Sequence, residues 1–399
     1  MKYFIYIFIP MILKSQTNNT NFSSSTLNSN ISNINEKINS SSNFNENNSN
    51  SVLNTNTNTN KKKNLLIGTF KNYKWHIVAP FFESYNKSNF TNCDCVMFVD
   101  HVSKHTLNKL KSLGIIVLPI PIKYNKYPII NYRWKLYEDF INNNMDKYNL
   151  VFTADIRDTF FQQDVFKFYD SIKPFLGVAL EETTLDNEIN RKWMVKAFGE
   201  EIYKSMINER IICGGTIGGT PDKFYEFCKL MWDSLKTESS IKIELVDQAM
   251  ANYLIYHEKK FNDCLIKSDS KNGTIMTIGN GRKFKFDLED NLLNFKGEIA
   301  SVIHQYDRHP SILKKVMNKY CPDIVIQIEK EEKIKKFIMI FGVCVLILEI
   351  IFFLKHLITK KPKKAEINSN KVLKLSNKSK KIVDELNVSS LNIINSQIN

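Results

Sequence analysis

Two carboxylates three residues apart, Asp155 and Asp158, close the segment Val151-Phe152-Thr153-Ala154-Asp155-Ile156-Arg157-Asp158. On a strand that simply continued they would point to opposite faces; if the chain turns helically after Asp155, they converge on one side. Convergent carboxylates suit a hard divalent cation such as Mg2+ or Mn2+. The alternative is an ion pair of Arg157 with either aspartate and a helix cap. Farther on, Ser301-Val302-Ile303-His304-Gln305-Tyr306-Asp307-Arg308 puts a histidine directly after an apolar run. His304 could supply an imidazole to a metal and leave Arg308 to pair with phosphate, or it could be a satisfied surface histidine.

Two further groups stand out. In Ile212-Cys213-Gly214-Gly215-Thr216-Ile217-Gly218-Gly219 the paired glycines would let a ligand approach the backbone closely, although tight strand packing or a bulge explains them equally well. The segment lacks the spacing and the Gly-Lys-Ser/Thr ending of a phosphate loop. Asp247-Gln248 opens an amphipathic stretch through Asn252, where Asp247 could be catalytic or only an N-cap.

The elements that must position these residues alternate β-rich runs with helical stretches, the sign of an α/β domain with a largely parallel sheet. Strands are expected at Leu65–Thr69, Cys95–Asp100, Ile115–Pro119 and Leu150–Thr153, with helices at Tyr73–Tyr85, Lys104–Leu113 and Ile130–Asn142 between them. This first half reads as doubly wound, and in such sheets ligands bind beyond the carboxyl ends of the strands, where Asp155 falls. The second half is expected to hold a strand at Phe175–Glu181, a helix near Arg191–Ile207, a strand at Cys213–Gly219 and helices at Asp222–Leu235 and Leu245–His257. Irregular chain is expected from there to Ser301–His304. Residues 64–323 are enough for one domain with one core.

The net charge of +14 raises the question of a nucleic-acid partner, but its location answers against one. Residues 355–399 hold ten Lys against three acids, and Lys61-Lys62-Lys63 add three more, so the folded region is only mildly basic. Residues 16–63 are dominated by Asn, Ser and Thr and read as a disordered stalk, with glycosylation acceptors at Asn18, Asn21, Asn30, Asn39 and Asn47. Residues 1–15 read as a signal peptide or short hydrophobic segment. Phe337–Leu354 is apolar apart from Glu349, whose cost of roughly 3 kcal/mol is offset by fourteen Ile, Leu, Val or Phe at about 0.3–0.6 kcal/mol each. A transmembrane helix over residues 337–358 is therefore expected. The Lys-rich tail, residues 359–399, would be cytosolic and the domain lumenal, in the Golgi or the endoplasmic reticulum. Six cysteines in such a domain permit disulfides without requiring any.

Taken together, the Asp-x-Arg-Asp-x-x-Phe-Gln segment, the Cys-Gly-Gly turn, the Asp-Gln helix and the His-Gln-Tyr-Asp-Arg ending resemble a eukaryotic branch of the GT-A glycosyltransferases, which use nucleotide-diphosphate sugars. The resemblance runs from Leu65 to Pro310 and implies a Rossmann-like GT-A domain that transfers a hexose to a hydroxyl on a glycan, glycoprotein or glycolipid, with Mn2+ or Mg2+ as cofactor. It implies that Asp155 and Asp158 stand in for the family's Asp-x-Asp motif and that His304 completes the coordination. Arg133 and Arg308 would meet the donor diphosphate. Gly214 and Gly215 would lie under the donor sugar, Asp247 with Gln248 would face the sugar or acceptor, and the catalytic carboxylate would be Asp247, Glu181 or Glu182. This sequence departs from the family in having two residues between the carboxylates and its anchor at the carboxyl end. Three rivals stand beside this reading. One is a lectin or adhesion protein that keeps the fold without catalysis, and another a glycoside hydrolase. The third, a nucleotidyltransferase, lacks its Gly-rich loop here.

Overall fold

The computed structural model describes residues 62–359, apart from 125–126, 170–172, 238–245, 272 and 280–283. The signal segment, the stalk with its five acceptor asparagines, and the basic tail lie outside the described residues.

The first half follows the expected alternation: β1 (Lys63–Lys71), α1 (Trp75–Lys87), β2 (Cys93–Asp100), α2 (Lys104–Ser112), β3 (Ile116–Pro119), α3 (Ile129–Asn142) and β4 (Tyr148–Ala154). These strands pair in parallel in the order β3-β2-β1-β4. The inner strands β1, β2 and β4 are buried on both sides, whereas β3 at the edge is partly exposed. Leu66, Met97 and Phe152 pack with Phe81 and Phe82 of α1, whereas Leu65, Ile67 and Val151 pack with Trp134 and Tyr137 of α3. Alternate residues of one strand thus feed two cores, which is why these runs read as continuously apolar.

Past the site, the chain runs through β5 (Thr159–Phe161), β6 (Leu176–Thr184), α4 (Glu188–Phe198), α5 (Glu200–Met206), β7 (Arg210–Gly219), α6 (Pro221–Leu235) and α7 (Val246–Asn252). Then come β8 (Leu265–Ser268), β9 (Ile275–Thr277), β10 (Lys285–Phe286), β11 (Leu292–Leu293), β12 (Val302–His304), α8 (Pro310–Tyr320) and α9 (Pro322–Thr359). The main sheet extends as β4-β7-β6-β8, with β7 antiparallel to both neighbours. A second, three-stranded sheet, β5-β12-β9, stands at the mouth of β4.

Three expectations are corrected. The helix expected near Arg191–Ile207 is two helices, broken at Gly199, whose φ of +88° suits a residue without a Cβ. The stretch between His257 and Ser301 is not irregular: β8 and β9 lie in it, each too short to show a period of two in sequence. The stretch ending at His257 is also not one regular helix, since α7 gives way to a π-helical turn at Tyr253–His257.

Helix α9 is 38 residues long, with its apolar residues exposed, and among the described residues it is the one helix long and apolar enough to cross a membrane. The described cysteines carry free thiols.

Candidate functional site

The site grows out of a change of sheets. Strand β4 ends at Ala154, the chain turns through Asp155–Asp158, and β5 leaves to pair antiparallel with β12, which sets His304 opposite Thr159. Because β7 is antiparallel to β4, with Thr216 opposite Ala154, its preceding residues Gly214 and Gly215 run on past the carboxyl end of β4. Two backbone hydrogen bonds lock the turn: Asp155 N–H donates to the Gly215 carbonyl at 2.8 Å, and Gln305 N–H donates to the Asp158 carbonyl at 2.7 Å. Gln305 is held at φ 63°, a left-handed conformation unusual for a residue with a Cβ and the kind of backbone tension that gathers at functional sites.

This turn brings three donors together. His304 Nε2 lies 3.6 Å from Asp155 Oδ2 and 3.4 Å from Asp158 Oδ1. The ligand atoms of all three side chains fall within 4.8 Å of one another. His304 is 1% exposed, and its Nε2 has no hydrogen-bond partner. Among the described residues this buried nitrogen meets the two carboxylates at ion-pair distance without a well-formed hydrogen bond, an arrangement that a divalent cation held between the three would also satisfy. Adjacent ligands of an octahedral ion held at about 2.1 Å are about 3.0 Å apart, so gaps of 3.4 and 3.6 Å need to close only slightly. One imidazole with two carboxylates is a donor set that suits Mn2+ or Mg2+.

Gly215 forms the floor. A Cβ built there would lie 2.5 Å from His304 Cε1 and 2.6 Å from Asp155 Oδ2, too close for either to stay in place. If the cluster holds a cation, Gly215→Ala should weaken Mn2+ binding at least about tenfold by displacing two of its three side chains at once, as titration followed by electron paramagnetic resonance would show. Gly214 acts differently: a Cβ there would meet only ordinary contacts, and its carbonyl accepts from Arg133 Nη2 at 2.9 Å.

Arg133 occupies the centre of the charge network. From α3 it donates through Nη1 to Asp155 Oδ1 and through Nη2 to Asp247 Oδ2, both at 2.6 Å, with its side chain 10% exposed. Both terminal nitrogens are thus engaged by protein oxygens, so Arg133 clamps two carboxylates where it lines the cleft. Burial opposes ionisation of Asp155, but Arg133 and His304 outweigh it and hold the carboxyl below its usual range. For Asp247, burial prevails over Arg133, and nearby Asp155 adds to the upward shift. Burial likewise disfavours a charged His304, yet Cys213, Asp158 and Asp155 together raise its pKa well above that of an ordinary imidazole.

A cleft of about 730 Å³ opens over these residues, lined among others by Glu181, Asn190, Trp193, Gln248 and Arg308. Glu181 is buried, and burial pushes its carboxyl up despite His304 and Arg308 nearby. Gln248 Nε2 donates to Asn190 Oδ1 at 3.1 Å and approaches Glu181 Oε1 at 3.4 Å, so the Asp-Gln pair on α7 reaches the Arg133 clamp and the cleft wall together. Glu182 is not part of this wall. Its carboxylate is 3.9 Å from Arg210, since successive side chains on β6 turn to opposite faces.

A smaller cavity of about 270 Å³ adjoins Asp155 and Asp158 and is lined by Thr69, Lys71, Tyr73 and Arg157 at the end of β1. Arg157 sits 3.4 Å from Asp307 and 3.7 Å from Asp158 and is 39% exposed, more available than Arg133. Neither Tyr73 nor Asn190 carries a signal in the sequence. Asn252 does: four residues after Gln248, it grips both backbone groups of Ile212 and so pins α7 to β7.

No family model matches the chain, and no curated protein matches it. Among solved structures, it is similar to galactosyltransferase LgtC in complex with donor and acceptor sugar analogs, at 13% identity and a TM-score of 0.38, over 60% of this chain and 86% of that one. An active-site mutant of LgtC matches at 12% identity and a TM-score of 0.40, with the same coverage.

Proposed function

We propose that this chain is a membrane-anchored, metal-dependent glycosyltransferase of the GT-A kind, moving a sugar from a nucleotide-diphosphate donor to a hydroxyl on a glycan, glycoprotein or glycolipid. The observation that carries the reading is the convergence of the buried Nε2 of His304 with Asp155 and Asp158, their ligand atoms within 4.8 Å of one another, at the carboxyl end of a parallel strand. In that setting the three residues would hold Mn2+ or Mg2+. Bound there, the ion supplies positive charge against the diphosphate as it leaves.

The chain's own residues do the rest. Arg133 keeps Asp155 ionised and aimed, and fixes Asp247 beside it. Arg157 and Arg308 line the open parts of the cavities and can take phosphate oxygens as charge-assisted acceptors. Glu181, Asp247 and Gln248 face the space where a donor sugar would lie. The new bond joins the acceptor oxygen to the anomeric carbon as the bond from that carbon to the diphosphate oxygen breaks. Asp247 is committed to Arg133, whereas the hydrogen bond to the Glu181 carboxylate among the described residues comes from the neutral Gln248 amide, which makes Glu181 the carboxylate to take the acceptor's proton.

Full-length protein in detergent should release nucleoside diphosphate from a UDP- or GDP-sugar with Mn2+ and not with EDTA. Glu181→Gln should lower kcat by about 10²–10⁴ while leaving donor affinity in place. Because the base must be ionised and its pKa is raised, wild-type rates should fall with acidification at a higher pH than an ordinary glutamate would give. A kcat for Glu181→Gln equal to wild type would remove Glu181 from this role. The apolar stretch of α9, with basic residues following, would hold the domain on the lumenal side of a secretory-pathway membrane.

A further inference from the structure

The imidazole of His304 has two nitrogens, and the proposed cation concerns only Nε2. Nδ1 lies 3.2 Å from Cys213 Sγ, and both residues are buried at 1% exposure. The same sulfur accepts the Gly215 N–H at 3.4 Å, so the backbone of β7 fixes it in place. An imidazole that binds a metal through Nε2 carries its proton on Nδ1, and the partner that receives this proton sets both tautomer and ring orientation. Carboxylates, carbonyls and waters usually take that part. Here, Sγ is what stands at Nδ1. It lies on the far side of the ring from the two aspartates, so it is placed to orient the ring and not to bind the ion.

We infer that Cys213 is a positioning residue: its sulfur accepts the Nδ1–H of His304 and turns Nε2 toward Asp155 and Asp158. This rests on the reading of those three residues as a cation site. It gives the Cys-Gly-Gly run two separate duties, since Cys213 holds the ring from behind while Gly215 leaves the ring room in front. It also separates Cys213 from the other buried thiols among the described residues, Cys95, Cys228 and Cys321, which sit within the apolar cores.

The test uses the full-length protein in detergent with Mn2+ alone as the probe. Cys213→Val keeps the volume and removes the acceptor; it should weaken Mn2+ affinity about tenfold, and Cys213→Ser, which keeps an acceptor, should recover most of the loss. In a His304→Ala background, Cys213→Val should have no further effect on Mn2+ affinity. Nitrogen-15 spectra should show a protected ring N–H of His304 in the wild type that Cys213→Val removes or shifts. Unchanged Mn2+ affinity and an unchanged ring signal in Cys213→Val would overturn the assignment, as would an undiminished effect without His304. A wild type that binds no Mn2+ would instead defeat the cation reading, and the ring signal alone would then decide whether Cys213 holds His304.

Discussion

Arg133→Met should be the most destabilising single substitution at the site, lowering unfolding free energy by about 3–5 kcal/mol in urea or thermal denaturation. The guanidinium is 10% exposed and lies between Asp155 and Asp247, whose carboxylates it meets at 2.6 Å each. Its removal leaves Asp247, 7% exposed, without a counter-charge and frees the Gly214 carbonyl. Such a loss exceeds what a surface ion pair contributes, for which the usual range is about 0–1 kcal/mol. Arg133→Lys should rescue little, because a single ammonium cannot reach two carboxylates and a carbonyl with the geometry of a planar fork. Combining Arg133→Met with Asp247→Asn should recover part of the stability, since the second change removes the unpaired charge; a double variant no more stable than the single one would show that packing, not charge, sets the loss.

Asp155→Ala should have the largest effect on turnover, about 10²–10³ in kcat, because it removes a proposed cation ligand and the partner of Arg133 together. Asp158→Ala should weaken the cation as well but leave the Arg133 clamp standing, so the two variants should differ in stability more than in metal affinity. Cation binding should also depend on pH in a stated direction. The folded-state pKa of His304 is raised, so at neutral pH the metal-free site holds a proton that a cation must displace. Mn2+ affinity should then climb as pH rises, by roughly tenfold per unit while His304 remains protonated in the free protein, and level off above its pKa. His304→Ala should bind more weakly and lose the steepest part of this dependence.

Much of this arrangement was legible in the residues. The Asp155–Asp158 segment implied convergence if the chain turned, and it does turn, but the partner that completes the cluster is 146 positions on in the chain. Only the pairing of β5 with β12 brings His304 to it, and three-residue strands leave no periodicity to read. The parallel first half was visible because strands buried on both faces are continuously apolar. Strands β8 and β9 were hidden for the opposite reason, as Lys267 in the first and Thr277 in the second interrupt any pattern. Arg133 stood out only through the resemblance, and the sequence could not show that Asp247, far along the chain, meets it. Glu181 and Glu182 were equivalent on paper; the facing of β6 separates them.

The measurement closest to the central claim is Mn2+ affinity of the full-length protein, followed by electron paramagnetic resonance with and without UDP and GDP, in wild type and His304→Ala. Wild type should bind one ion and bind it more tightly with at least one of the nucleotides, since ion and diphosphate would share the site. His304→Ala should weaken the ion and the coupling together. An ion bound equally well without His304, or with no response to either nucleoside diphosphate, would contradict a diphosphate-holding cation at Asp155, Asp158 and His304.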